Sequence, residues 1–311
     1  MNNQFIEIRG CSSEEELLNV IEVCDAAFPK TTKEYFERHL LEDKTLGLSD
    51  TRVLLKEGKI VSSVQLFPRI ISTSSGALRF GGIGNVATLP SERRNGYAGL
   101  LLNDALDYLK TQGIPLSILT THINSYYEKF GFETVRRTIA RIESITGKAF
   151  NDIRKFEKEK DLRDVANLYN EFNINKTGGL VRDEKYWRSQ IDFSGEDKDL
   201  FLVYEQDGEL KGFVRGKRKE NYIELLEYAF KGAHKTALTK LIESMAYITG
   251  LNELELFLTK KEEGYLDPGF SYKLKDENDL MICFLDSKIN DDIKNELISS
   301  RNLNFWQSDF F

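Results

Sequence analysis

A chain of 311 residues is long enough for about two domains of roughly 150 residues, each with its own core. The composition, 41% hydrophobic and 30% charged, is that of a globular protein. A net charge of −7 argues against a nucleic-acid partner, which requires a basic footprint, and is compatible with a cationic small molecule. The opening residues MNNQFIEIRG lack the basic and apolar regions of a signal peptide. No run approaches the ~18 consecutive apolar residues of a membrane helix, so the expectation is a cytoplasmic protein with no membrane partner. Cys11, Cys24 and Cys283 are too scattered for a disulfide framework, and His39, His122 and His234 show no ligand spacing, so no metal is expected.

In chain order, Ser12 and Ser13 followed by Glu14, Glu15 and Glu16 form overlapping capping boxes before a helix with Leu17, Ile21, Cys24 and Phe28 on one face. Thr31 and Glu34 predict a second helix through Tyr35, Phe36 and Leu40. The period then changes to that of strands over 52–56, 60–71 and 78–88. A loop over 89–95 leads into an amphipathic helix with Ala98, Leu101, Leu102, Ala105, Leu106 and Leu109 on one face, ended by Gly113. A strand over 114–121, a short helix over 125–130 and a long strand over 134–145 close the first half. This order is α+β with a parallel pair at its centre.

The second half repeats that order with much drift: a helix over 160–172, a hairpin over 200–217, then strand 222–230, helix 234–249, and strands 254–258 and 279–284. The polar stretch 147–158 suggests a boundary, giving domains 1–147 and 148–311. A helix over 290–300 precedes an aromatic-rich tail.

The most informative segment is Val86-Ala87-Thr88-Leu89-Pro90-Ser91-Glu92-Arg93-Arg94-Asn95-Gly96-Tyr97-Ala98-Gly99. It reads as strand, loop and helix start. The first N–H groups of a helix are unpaired and carry a partial positive charge, so they accept a pyrophosphate. Gly96 and Ala98 let the phosphates approach the backbone, and Arg93 and Arg94 add charge at the rim. Alone, such a loop is equally a plain helix start with solvated arginines.

The pattern Arg-x-x-Gly-x-Ala, with Tyr127-Glu128-Lys129-Phe130-Gly131-Phe132 some thirty residues later, resembles the GNAT N-acetyltransferases over 5–143. Gly113-Ile114-Pro115-Leu116, and Gly178-Gly179-Leu180-Val181-Arg182 with Tyr186-Trp187, resemble the tandem-GNAT "enhanced intracellular survival" group. In that group the second domain binds no cofactor, and the segment 230–238 here has no Arg-x-x-Gly-x-Gly. Its usual third, sterol-carrier-like domain has no room in this length. The resemblance implies two GNAT-type domains, each a mixed, mostly antiparallel sheet opening at a cofactor cleft. It implies acetyl-CoA as co-substrate, held by Val86, Ala87, Thr88, Arg93, Arg94, Asn95, Gly96, Tyr97, Ala98 and Gly99. It implies Tyr127 as general acid and the terminal carboxylate of Phe311 as base; from the tail's own residues, Asp309 is a second candidate carboxylate. A tail simply packed on the second domain is the equal alternative.

The expected activity is acetylation of a primary amine on a small aminoglycoside- or polyamine-like molecule. A protein or peptide amine, or acyl-CoA binding without turnover, are the alternatives. The group's ring assemblies leave a homo-oligomer open.

Overall fold

The structure, a computed structural model, describes residues 5–191, 197–232, 235–259, 262–298 and 301–309. Strand β1 (Ile6–Gly10) enters helix α1 (Glu14–Ala27) through the predicted cap: the Glu16 N–H donates to Ser13 Oγ at 3.3 Å and the Ser12 N–H to the Glu16 carboxylate at 2.8 Å. Arg9 grips the same carboxylate with both terminal nitrogens, holding Glu16 down at about 2. Helix α2 (Lys33–Glu37) starts after Thr32 rather than Thr31, without a side-chain cap, and widens into a π-turn over Arg38–Glu42. Strands β2 (Thr51–Lys56), β3 (Lys59–Thr73) and β4 (Gly76–Thr88) form an antiparallel meander. Helix α3 (Tyr97–Thr111) then returns the chain to β5 (Leu116–Thr120), parallel to β4.

Helix α4 (Asn124–Tyr127) precedes the first departure from expectation. The run 134–145 is not one strand. It breaks into β6 (Glu133–Thr134) and β7 (Arg137–Glu143), which lie in different sheets. The polar stretch after it contains a strand, β8 (Ile153–Lys155), before α5 (Lys158–Asn173) and an unforeseen α6 (Glu184–Gln190). Strands β9 (Phe201–Gln206), β10 (Glu209–Arg218) and β11 (Ile223–Phe230) repeat the meander, followed by α7 (Lys235–Thr249) and β12 (Leu254–Phe257). An unpredicted β13 (Ser271–Glu277), then β14 (Leu280–Phe284) and α8 (Asp291–Ile298), lead to the tail.

Among the described residues two seven-stranded mixed sheets result, ordered β1-β2-β3-β4-β5-β14-β6 and β13-β7-β12-β11-β10-β9-β8. Each half sends its closing strand into the other's sheet: β7 sits between β13 and β12, and β14 between β5 and β6. Arg137 marks the crossing, donating to Glu277 at 2.6 Å and to the Phe305 carbonyl at 2.7 Å. No described helix is long and apolar enough to cross a membrane.

The apolar face of α3 is buried as its spacing requires, with Leu101, Leu102, Ala105, Leu106 and Leu109 lying on the sheet. Gly81 on β4 makes this fit possible, since a Cβ there would stand 2.4 Å from Leu109 Cδ2. Gly81→Ala is therefore expected to lower stability by about 1–3 kcal/mol through overpacking, measured by urea unfolding. An unchanged midpoint would show that Leu109 has room to turn aside.

Candidate acyl-transfer site

The site begins where β4 and β5 part. Their parallel pairing runs from Gly81 with Ser117 to Ile83 with Leu119 and goes no further among the described residues. Just beyond, Asn85 adopts a left-handed conformation (φ 47°), and the register with β3 shifts between Ser63 and Gln65, the mark of a β-bulge. Asparagine tolerates that conformation better than most residues. Its side chain is locked: Asn85 Nδ2 donates to Gln65 Oε1 at 2.6 Å, and Gln65 Nε2 donates to the His39 carbonyl at 2.7 Å. The Leu89 N–H donates to the Val61 carbonyl, and Ser62 Oγ to that of Ala87 at 2.7 Å. Backbone groups alternate along a strand, so those of Val86 and Thr88 face the opposite, open side. An open edge of this kind pairs with an extended, amide-bearing ligand as an added strand would.

The loop follows at once. A single 3-10 turn, Pro90–Glu92, is tied down by Lys56 Nζ on Glu92 at 2.9 Å. Arg94 and Gly96 both take positive φ, 68° and 79°, and α3 starts at Tyr97 with no side chain capping it. The N–H groups of Tyr97, Ala98 and Gly99 therefore have no carbonyl of their own helix to bond, and the alternating left-handed residues before them make the kind of backbone turn that can take an anion. The two arginines differ. Both are exposed at the rim, but Arg93 Nη2 also donates to the Ala27 carbonyl at 2.9 Å, closing the end of α1. Tyr97 is buried and anchors the helix start.

The second motif packs directly on the first. A Cβ at Gly99 would lie 3.4 Å from Phe130 Cζ and 3.9 Å from the Tyr126 hydroxyl. Tyr127 is buried in the same core as α3, edge-on to Tyr126 at 5.1 Å and to Phe132 at 6.1 Å. Its hydroxyl has no hydrogen-bond partner among the described residues, and burial, with Tyr126 beside it, pushes its pKa up to about 12. His122 stands apart, exposed beside Asp279 at 3.1 Å.

On the opposite face of the sheet from α3, a cleft of about 600 Å³ lies under α1, lined by Leu17, Leu40, Leu41, Asp43 and Leu46, with Gln65 among its walls. Gln65 links this cleft to Asn85 and the open edge. Neither Gln65 nor Asn85 was expected to matter; the only local signal was an Asn inside a glycine-weakened strand. Phe311 lies outside the described residues. Asp309 is enclosed by Arg182 at 2.8 Å and the Tyr186 hydroxyl at 2.9 Å.

Residues 7–135 match the family model described as an acetyltransferase (GNAT) domain. The match lies within the first half of the chain, which thus resembles a GNAT-type acetyltransferase domain. Across nearly its whole length the chain also shares its tandem-GNAT fold with solved structures. One is a protein of unknown function from Enterococcus faecalis V583, described as a probable N-acyltransferase (TM-score 0.70, 18% identity, covering 90% of this chain and 73% of that one). Another is a GCN5-related N-acetyltransferase from Anabaena variabilis (TM-score 0.69, 15% identity, 91% and 73%). A third is Eis1 from Mycobacterium abscessus (TM-score 0.65, 14% identity, 91% and 74%). At such identities these likenesses concern the fold. No curated protein sequence matches the chain.

Proposed function

We propose that the chain transfers acetyl from acetyl-CoA to a primary amine on a small cationic molecule of aminoglycoside or polyamine type. The observation that carries this reading is the convergence of the open edge at Val86 and Thr88, the uncapped start of α3, and the Tyr126–Phe130 turn packed on Gly99. We further propose 1–147 and 148–311 as the two duplicated halves, the first of them catalytic.

Acetyl-CoA, when bound, supplies an acyl group activated as a thioester. Val86 and Thr88 would hold its amide-bearing arm with their free backbone groups. The N–H groups of Tyr97, Ala98 and Gly99 would hold its pyrophosphate, with Asn95 and Gly96 shaping the approach and Arg94 adding charge. Arg93 contributes by fixing the loop to α1, and Ala87 by fixing the edge to β3. Tyr127 keeps a proton on its hydroxyl throughout the neutral range, since its pKa stands near 12. It is therefore a donor to a departing thiolate rather than a base. The amine would enter by the cleft under α1, next to Gln65, and the −7 net charge favours a cation there.

The reading is tested by following thiol release from acetyl-CoA against aminoglycosides, polyamines, amino acids and short peptides. Release with a small polyamine or aminoglycoside is expected. Release with peptides alone would transfer the assignment to a protein amine, and acetyl-CoA binding without any release would leave a binding module. The loop has its own test. Ala98→Glu places a carboxylate where the pyrophosphate would sit, and is expected to weaken acetyl-CoA at least about tenfold by calorimetry. The same charge suits a helix start, so the melting temperature should hold or rise slightly. Unchanged affinity would remove the start of α3 from the site.

A further inference from the structure

The second sheet repeats the opening of the first. β11 and β12 run parallel from Ile223 with Leu254 to Leu225 with Leu256, and the register with β10 shifts between Arg215 and Gly216. Counting three residues past the last parallel pair leads to Val86 in the first sheet and to Tyr228 in the second. Glu227 thus stands at the register place of Asn85.

The second opening is filled by the chain itself. Trp306, fully buried, wedges between the two parting strands: its ring lies 4.8 Å from that of Tyr228 on β11 and 6.0 Å from that of Phe257 on β12. Its indole N–H donates to Asn173 Oδ1 at 3.3 Å, and Asn304 Nδ2 donates to the same oxygen at 2.6 Å. The Asn304 N–H donates to the Thr177 carbonyl at 2.7 Å. The tail is then held again, because Ser308 reaches Glu227 and Asp309 sits between Arg182 and Tyr186.

From that second anchor, contacts lead back to the first half. Arg69 of β3 lies over the Tyr186 ring at 5.3 Å and pairs with Asp43 at 2.6 Å, and Asp43 lines the cleft under α1. Phe305 also meets Phe80 of β4, ring to ring, at 6.0 Å. We propose that the cleft of the second sheet is a socket for the chain's own tail, and that Trp306 is thereby a positioning residue for acetyl transfer in the first half. The docked tail holds Asp309, Tyr186 and Arg69 against Asp43, which fixes the wall of the cleft where the amine enters. This rests on the reading that the amine enters there.

Trp306→Gly and the milder Trp306→Leu test it, each measured with and without added indole, since an engineered apolar cavity takes up a small aromatic ligand. Expected for Trp306→Gly is a fall in kcat/KM of about tenfold or more, chiefly as a rise in the amine KM, because small displacements of a positioning wall are strongly felt. Acetyl-CoA affinity should stay within about twofold, and indole should restore most of the activity. Trp306→Leu should fall between. Hydrogen exchange over 303–309 reads the socket without turnover: protection in the wild type, loss in both variants, and recovery with indole. A tail equally protected in the variants overturns the socket. A released tail with unchanged KM and kcat overturns the positioning role. If the wild type acetylates no amine, the functional reading falls and the exchange data alone judge the socket.

Discussion

Tyr127→Phe is expected to lower kcat by roughly 10²-fold or more, while the affinity for acetyl-CoA stays near the wild-type value. The substitution removes one oxygen from a ring that otherwise keeps its contacts with Tyr126 and Phe132. The hydroxyl has no partner in the protein among the described residues, so its loss leaves no buried group unpaired and stability should hold. The pH dependence adds a second check. Burial raises the phenol to about 12, so the acid form is the working form and persists far above neutrality. Wild-type kcat should therefore show no alkaline fall below about pH 10 traceable to this group. Turnover unchanged in Tyr127→Phe would exclude the phenol as proton donor. The half-buried Tyr126, whose hydroxyl lies nearer Gly99, would then be the next residue to replace.

The largest loss of stability is expected from Arg182→Met. The Arg182 guanidinium is fully buried, bonded to Glu227 and Asp309, and stacked 3.8 Å over the Tyr169 ring. Removing it leaves two buried carboxylates near each other, with Arg215, 3.7 Å from Glu227, as the remaining counter-charge paired with them among the described residues. Breaking such a cluster from one side costs roughly 3–5 kcal/mol. The sign of the pH dependence follows from the carboxyls. Burial raises Glu227, but Arg182 and Arg215 more than offset it and leave it below the ordinary range. For Asp309 burial prevails over Arg182, and its pKa is raised. Without Arg182 both lose their main lowering influence, so Asp309 rises further above its unfolded pKa and Glu227, now below, moves up under the effect of burial. The penalty is then full at pH values above those raised pKa values and is relieved as pH falls through them. The melting-temperature gap between variant and wild type should narrow from pH 8 towards pH 5. A gap independent of pH would show that lost packing on Tyr169 and Trp187, rather than exposed charge, dominates.

The parts of the site that could be read from sequence were those whose physics is local. An apolar stripe ending at Gly113 defines α3, and Gly96 before it marks a helix start that no side chain obstructs. Tyr127 to Phe132 was recognisable because its residues are contiguous. The bulge at Asn85 was not, because it depends on Gln65, twenty residues earlier, and on a neighbouring strand that ends its pairing. The tie of Arg93 to the Ala27 carbonyl was not legible because that partner lies on a distant helix end. Strand β13 escaped notice because SYKLKDE is polar and largely exposed, as suits a sheet edge protected by lysines. The run 134–145 read as one strand since its apolar residues alternate equally well whichever sheet receives them, and only the tertiary partners distinguish the two.

The exchange of closing strands sets the schedule on which the protein can be built. β5 is made early, but the strand that covers its edge, β14, leaves the ribosome about 160 residues later. At ordinary synthesis rates that is a wait of roughly 10–30 s. Throughout it, the Leu116–Thr120 edge, buried in the finished fold, stays open beside the nascent second half. The first half is thus the first to be synthesised and among the last to be completed. Nascent chains stalled before residue 280 should display that edge to chaperones, and chains stalled well past residue 284 should not.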